Sequence, residues 1–265
     1  MEYECFNGQV AVITGAGGEI GGGTAEALAK YGIKLALIDI HQGRLNETVD
    51  NLTKMGVAPD RIFHKFGDVT KSDDVTSFVD DVMRTFGKIN ILLNVVGAKR
   101  IKVLKNASME DFDWCINGNL KSIFMMTQAC QPHLVATKGN VINVSSVSGM
   151  RPVWGALPYA MAKAAVDQFT RCVSQEMAPQ GVRVNAVSPG ALKSRFNIRF
   201  GDIFTQESQL ERYFDVAGRS IPLGYMGTWK DVVPTIVFLA SDMAPFITGA
   251  VIAVDGGYVN TCSCP

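Results

Sequence analysis

Short apolar runs alternate with helix-patterned stretches along almost the whole chain, and this alternation restricts the fold more than any other feature. Val10–Thr14 reads as a buried strand and Leu35–Asp39 as a second, followed by Arg61–Phe66, Ile89–Val96, Val141–Ser145, Val182–Val187 and Ala250–Val254. Between them lie helical patterns at Thr24–Tyr31, Arg44–Met55, Asp73–Phe86, Leu120–Leu134, Ala160–Met177 and Asp231–Ala240. Such alternation implies βαβ units and a parallel sheet, and right-handed crossovers put helices on both of its faces. The expectation is an α/β fold: a single doubly wound domain over residues 1–265 with a sheet of about seven strands. Residues 193–226 break the rhythm. A connection of that length is usually a lid or a binding loop. Phe196, Phe200, Ile203 and Phe204, and then Leu210, Tyr213 and Phe214, fall at helical spacing and predict two short amphipathic helices there.

Composition excludes several functions. Hydrophobic residues make up 47% and charged residues 19% of the chain, so a large core is available and disorder is not expected. Lys+Arg and Asp+Glu balance at 25 each, which argues against a nucleic-acid partner. No apolar run approaches the roughly 18 residues of a membrane span. The start, Met1-Glu2-Tyr3-Glu4-Cys5, is acidic and leads into no apolar stretch, which predicts a cytoplasmic rather than a secreted protein. The cysteines, including Cys262 and Cys264 near the end, lack zinc spacing, and His41, His64 and His133 form no ligand set. No catalytic metal is expected.

The first strand runs directly into Gly15-Ala16-Gly17-Gly18-Glu19-Ile20-Gly21. Glycines there let the backbone turn sharply and approach a pyrophosphate, while the following helix offers unpaired N–H groups and the positive end of its dipole. Gly22 and Gly23 each cost a helix about 1 kcal/mol relative to alanine, and the sequence supplies no reason for them. Asp39 ends the second strand, where an acid hydrogen-bonds an adenosine ribose in dinucleotide folds. A 2′-phosphate beside it would meet a like charge, at about 4 kcal/mol per unit charge for ~4 Å and an effective dielectric of about 20. Asp39 therefore predicts NAD over NADP, although Arg44 is close enough in sequence to temper the preference.

Tyr159 and Lys163, at i and i+4, share one helix face behind Pro158. A phenol of pKa about 10 is a poor base at neutral pH, and a neighbouring ammonium favours its ionised form. Ser146 follows the fifth strand at the carboxyl edge of the sheet, where α/β folds bind ligands, and its hydroxyl can hold a substrate oxygen beside Tyr159.

Together these residues resemble the short-chain dehydrogenase/reductase family, in its single-domain Rossmann-type branch of roughly 250 residues. The resemblance runs from about Val10 to Gly257. It is carried by Thr14-Gly15 through Gly21, Asp68-Val69, Asn94-Val95-Val96-Gly97 and Asn119 in Asn117-Gly118-Asn119-Leu120. Ser146, Tyr159 and Lys163 carry it further, as do Arg183 through Gly190, Ile247-Thr248-Gly249 and Val254-Asp255-Gly256-Gly257. The resemblance implies that Tyr159 is the general acid or base, that Lys163 holds the nicotinamide ribose and lowers the Tyr159 pKa, that Ser146 orients the substrate oxygen, and that Asn119 keeps a water in a proton relay. It implies cofactor contacts from Gly15, Gly18, Glu19, Ile20, Gly21, Asp39, Asp68, Val69, Asn94, Val95, Gly97, Pro189, Gly190, Leu192 and Ser194, with Ser194 standing where the family often has a threonine. It also implies a homo-oligomer, a tetramer or dimer. Three positions depart from the family pattern: Glu19 replaces the middle glycine, Val95 and Val96 replace Asn and Ala, and Ser194 replaces Thr.

Met150, Val153, Trp154 and Phe196 suggest an apolar pocket for a steroid-like, polycyclic or long-chain secondary alcohol or ketone. Arg195 and Arg199, one helical turn apart, either meet an acidic substrate or face water. Two other functions compete: a 3-oxoacyl thioester reductase using NADPH, which Asp39 disfavours, and a non-catalytic nucleotide-binding scaffold or sensor.

Overall fold

The computed structural model describes residues 4–194, 196 and 207–261, with backbone alone for 207–210 and 213. Seven parallel strands form one sheet: β1 (Val10–Thr14), β2 (Lys34–Asp39), β3 (Ile62–Phe66), β4 (Ile91–Asn94), β5 (Asn140–Val144), β6 (Arg183–Pro189) and β7 (Val251–Val254), in the order β3-β2-β1-β4-β5-β6-β7. The chain winds outward from β1 to β3, then crosses back to place β4 on the other side of β1. At that switch point Thr14 pairs with Ile38 on one side and Asn94 on the other, so the carboxyl ends of three strands stand level. This is where open α/β sheets bind ligands.

Side chains alternate along each strand, and in β1, β2, β4, β5 and β6 both sets are largely buried, while the edge strands β3 and β7 are only partly covered. Ala11, Ile13, Leu35, Leu37, Ile91 and Leu93 pack on one face with Ala25 and Leu28 of α1 (Glu19–Ala29), Leu45 and Leu52 of α2 (Gln42–Lys54), and residues of a late helix, Trp229–Ala240. Val10, Val12, Ala36, Ile38 and Leu92 pack on the other with Phe78 and Val82 of α3 (Ser72–Phe86) and residues of a central helix, Ser122–Thr137. Continuous apolar strands are the sequence trace of this double burial.

The seven strands and the six helices expected between them are present, with informative shifts. β4 stops at Asn94 rather than Val96, because residues 95–97 leave the sheet to border a cleft. α1 begins at Glu19 rather than Thr24, so Gly22 and Gly23 lie inside it. Their reason is now visible. A Cβ on Gly23 would lie 2.3 Å from the Trp229 ring, and one on Gly22 would lie 3.0 Å from Thr48 Oγ1, whose hydroxyl donates to the Ala16 carbonyl at 2.9 Å. The two glycines let neighbouring helices seat against the nucleotide turn.

One helix was not expected. α4 (Met109–Ile116) starts in a capping box: Ser108 Oγ accepts from Asp111 N at 3.1 Å, and Asp111 Oδ2 accepts from Ser108 N at 3.2 Å. It passes through a π-helical turn, Asn117–Lys121, into α5 (Ser122–Thr137); α6 spans Leu157–Met177. α7 (Glu207–Gly218) contains the Leu210, Tyr213 and Phe214 spacing, and α8 is Trp229–Ala240. Arg195, Arg199, Phe200, Ile203 and Phe204, and Cys262 and Cys264, lie outside the described residues. Among the described residues no helix is long and apolar enough to cross a membrane. None of them form a cluster of three or more His, Cys, Asp or Glu able to hold a metal.

Candidate active site

A cleft of about 1000 Å³ opens above the carboxyl ends of β1, β2, β4 and β5. At its floor Gly15 has φ +65°, a left-handed conformation that favours glycine. A Cβ on Gly21 would lie 2.2 Å from the Gly15 carbonyl oxygen, so the turn closes on itself through an absent side chain. Gly18 caps α1 with no side-chain hydrogen bond, so no capping side chain competes for the N–H groups of the first turn. Glu19 sits in that first turn, where the helix dipole favours a carboxylate, and borders the cleft.

Asp39 is buried at the end of β2. Its Oδ2 accepts from Gly17 N at 2.9 Å and its Oδ1 from His41 N at 2.8 Å. The two bonds fix the carboxylate while leaving lone pairs for a further donor. Asp68 is held similarly, accepting from Thr70 N at 2.9 Å and Thr70 Oγ1 at 2.7 Å. Ile20, Val69, Val95, Gly97, Pro189, Gly190, Leu192 and Ser194 also border the cleft. Asn94 does not. It is buried below, where its Nδ2 donates to Asn143 Oδ1 at 2.9 Å and Thr127 Oγ1 at 3.2 Å, clasping β4 to β5 and α5.

Ser146, Tyr159 and Lys163 border the other end of the same cleft. Lys163 is 2% exposed, and its Nζ donates to the Val144 carbonyl at 2.8 Å and lies 5.7 Å from the centre of the Tyr159 ring. Burial depresses its pKa to about 8, against the opposing charge of Asp167 one turn along α6. Burial also pushes the Tyr159 phenol up to about 12, while a hydrogen bond with Ser146 works the other way. Desolvation of the phenolate is the largest influence on the phenol.

Asn119 is fully buried and does not border the cleft. Its Nδ2 donates to the carbonyls of Ala98 at 2.5 Å and Cys115 at 2.7 Å, and its Oδ1 accepts from Ala98 N at 3.3 Å. The side chain clamps the loop after β4 onto the π-turn. Gly118 permits the approach, since a Cβ there would lie 2.4 Å from that of Ala98. Of the apolar substrate residues, Val153 and Phe196 border the cleft, with the Phe196 ring centre 6.3 Å from that of Tyr159. Met150 and Trp154 do not. Trp154 is 87% exposed, and Met150 is exposed as well. Lys99, Trp114 and Tyr258 border the cleft without having been singled out in the sequence. Only Lys99, two residues past Gly97, had a positional signal.

Residues 15–259 match the family model described as Enoyl-(Acyl carrier protein) reductase. The 3-oxoacyl-[acyl-carrier-protein] reductase FabG of Thermotoga maritima is 35% identical, over 96% of this chain and 99% of that protein. The (2S)-[(R)-hydroxy(phenyl)methyl]succinyl-CoA dehydrogenase subunit BbsD of Thauera aromatica is 32% identical, over 94% of this chain and 96% of its own length. A short-chain dehydrogenase/reductase of unknown function from Caenorhabditis elegans, solved with cofactor, superposes with a TM-score of 0.91 at 31% identity, covering 97% of each chain. The chain belongs to the short-chain dehydrogenase/reductase family of oxidoreductases. Its turn fits the nicotinamide dinucleotide that the family uses. The cradle is one that a Cβ at Gly21 would fill, and a fixed carboxylate stands at the end of β2.

Proposed function

We propose that this protein interconverts a hydrophobic secondary alcohol and its ketone with NAD(H). The observation that carries the reading is that one cleft joins the glycine turn and Asp39 at one end to Ser146, Tyr159 and Lys163 at the other. When bound, the dinucleotide supplies or accepts the hydride. Tyr159 donates its phenolic proton to the ketone oxygen in reduction and withdraws it from the alcohol in oxidation. Ser146 orients that oxygen. The Lys163 ammonium, fixed from below by the Val144 carbonyl, holds a ribose hydroxyl and stabilises the phenolate. Asn119 acts by holding the Ala98 loop and the π-turn in register. Residues 193–226, with Phe196 against the cleft, form the lid over an apolar substrate, and residues 1–265 act as one domain. The protein works in the cytoplasm as a dimer or tetramer; half-exposed Phe124 on α5, edge-on to Phe169 of α6, supports a subunit contact there.

Asp39 supports NAD over NADP, since a 2′-phosphate would meet its carboxylate. The test is a screen of secondary alcohols and ketones read by absorbance of the reduced cofactor. At least a tenfold advantage of NAD(H) in kcat/KM is expected, and Asp39→Ala should shrink it. A clear NADPH advantage would overturn the reading. It would favour the second one, a 3-oxoacyl thioester reductase, which the similarity to FabG supports and for which Arg44, bordering the same end of the cleft, offers a cation. Cofactor binding without turnover on any substrate would leave only a nucleotide-binding scaffold.

A further inference from the structure

One cation at the reacting end of the cleft has no part in the chemistry described so far. Lys99 borders the cleft and is partly buried, with its Nζ 5.6 Å from the centre of the Tyr159 ring. Lys163, the other cation at that ring, has the Val144 carbonyl and the charge of Asp167. Among the described residues Lys99 has neither kind of partner, and no carboxylate pairs with it. Burial alone acts on its ammonium, pushing its pKa below the ordinary lysine value. The acidic residues of the facing α4 are committed elsewhere or stand in water. Asp111 caps its own helix and lies 3.9 Å from Arg100, and Glu110 and Asp113 are exposed at the rim. Arg100, the next cation in the loop, is spread over the Trp114 ring at 5.1 Å.

A partly buried ammonium without a counter-charge is unfavourable, and such groups are retained where something else completes them. The loop that carries Lys99 is held rigidly, because Asn119 takes both backbone polar groups of the adjacent Ala98. The ammonium is therefore presented to whatever lies against Tyr159. A substrate whose oxygen meets the Tyr159 phenol brings its neighbouring carbons within reach of a four-carbon lysine stem.

We propose that Lys99 is a specificity-determining residue that binds a carboxylate on the substrate, a few bonds from the reacting carbon. This rests on the function proposed above and narrows its substrate class to hydroxy acids and oxo acids. Val153 and Phe196 cover the apolar remainder. Lys99 keeps its proton throughout, and the proton and hydride of the reaction move as already described.

The test compares 3-hydroxyoctanoate with its neutral methyl ester, using NAD⁺, in the wild type, Lys99→Met and Lys99→Arg. The wild type should favour the acid in kcat/KM. Lys99→Met should narrow the acid-to-ester ratio at least tenfold, chiefly through KM for the acid, and Lys99→Arg should keep most of it. Calorimetric titration of the same two compounds into the Tyr159→Phe protein saturated with NAD⁺ reads binding without turnover. The acid should bind at least tenfold more tightly than the ester, and adding Lys99→Met should remove the difference. Equal losses on acid and ester, or no difference in binding, would overturn the assignment and point to Lys99 acting on the phenol instead. Lys99-dependent binding of the acid with no turnover of either compound in the wild type would leave the assignment standing and sink the proposed reaction. Turnover of the ester with an acid-to-ester ratio indifferent to Lys99 would do the reverse.

Discussion

Tyr159→Phe is expected to lower kcat by about 10²–10⁴-fold, the range over which a positioned acid or base contributes, while cofactor affinity changes little. The substitution removes one oxygen and leaves the ring. The ring packs against Phe196 and has the ammonium groups of Lys99 and Lys163 within 5.6 and 5.7 Å of its centre, so the walls of the cleft keep their shape. What is lost is, among the described residues, the one phenol of the cleft that bonds with Ser146, while Tyr258 is clasped by Arg151. Because the lost contact is to the reacting oxygen, kcat and kcat/KM should fall together. Rates comparable to the wild type would show that another group moves the proton. A matching loss of cofactor binding would show that the residue acts on the fold of the site rather than on the reaction.

Gly21→Ala is expected to abolish most cofactor binding, raising the dissociation constant for NADH at least tenfold, and to lower the melting temperature. The added carbon would lie 2.2 Å from the Gly15 oxygen and 2.9 Å from its carbonyl carbon. Both belong to backbone held at φ +65°, so no flexible side chain can move aside. Overpacking of this kind costs about 1–3 kcal/mol, and here the strain falls on the turn that must meet a pyrophosphate. Gly23→Ala is the matching control. Gly23 does not border the cleft, although the Trp229 ring that its added carbon strikes does, so it should cost stability of similar size with a smaller loss of NADH affinity than Gly21→Ala. Equal effects of the two substitutions on affinity would remove the special role assigned to the turn.

The sheet was legible because its inner strands are buried on both faces and are therefore nearly continuously apolar, a signal that survives without alignment. The turn and the Ser146, Tyr159 and Lys163 set were legible because their spacing is fixed by local geometry, a strand end and one helix face. What stayed hidden depends on distant partners. α4 is short and weakly periodic, and its one clear signal, Ser108 three residues before Asp111, is easily passed over. Gly22 and Gly23 make sense only against Thr48 and Trp229, which the fold brings from elsewhere in the chain. The side chains of Asn94 and Asn119 also satisfy buried side-chain and backbone groups, which the sequence does not reveal. Met150 and Trp154 are apolar and close to Ser146 in sequence, but the loop turns them outward. Lys99 reads as an ordinary surface lysine until the cleft is seen beside it.

The central claim is that a buried phenol is made reactive by positive charge gathered around it. The direct measurement is an ultraviolet titration of phenol ionisation, taken as the difference between wild type and Tyr159→Phe, with and without saturating NAD⁺. Without cofactor, burial should hold Tyr159 protonated to about pH 12, above the ordinary tyrosine value. The protonated phenol then favours the fold below pH about 10, and that contribution is lost as the pH rises toward 12. With NAD⁺, the added positive charge favours the phenolate, so the ionisation should move to distinctly lower pH. An ionisation at the same pH in both states would contradict the account.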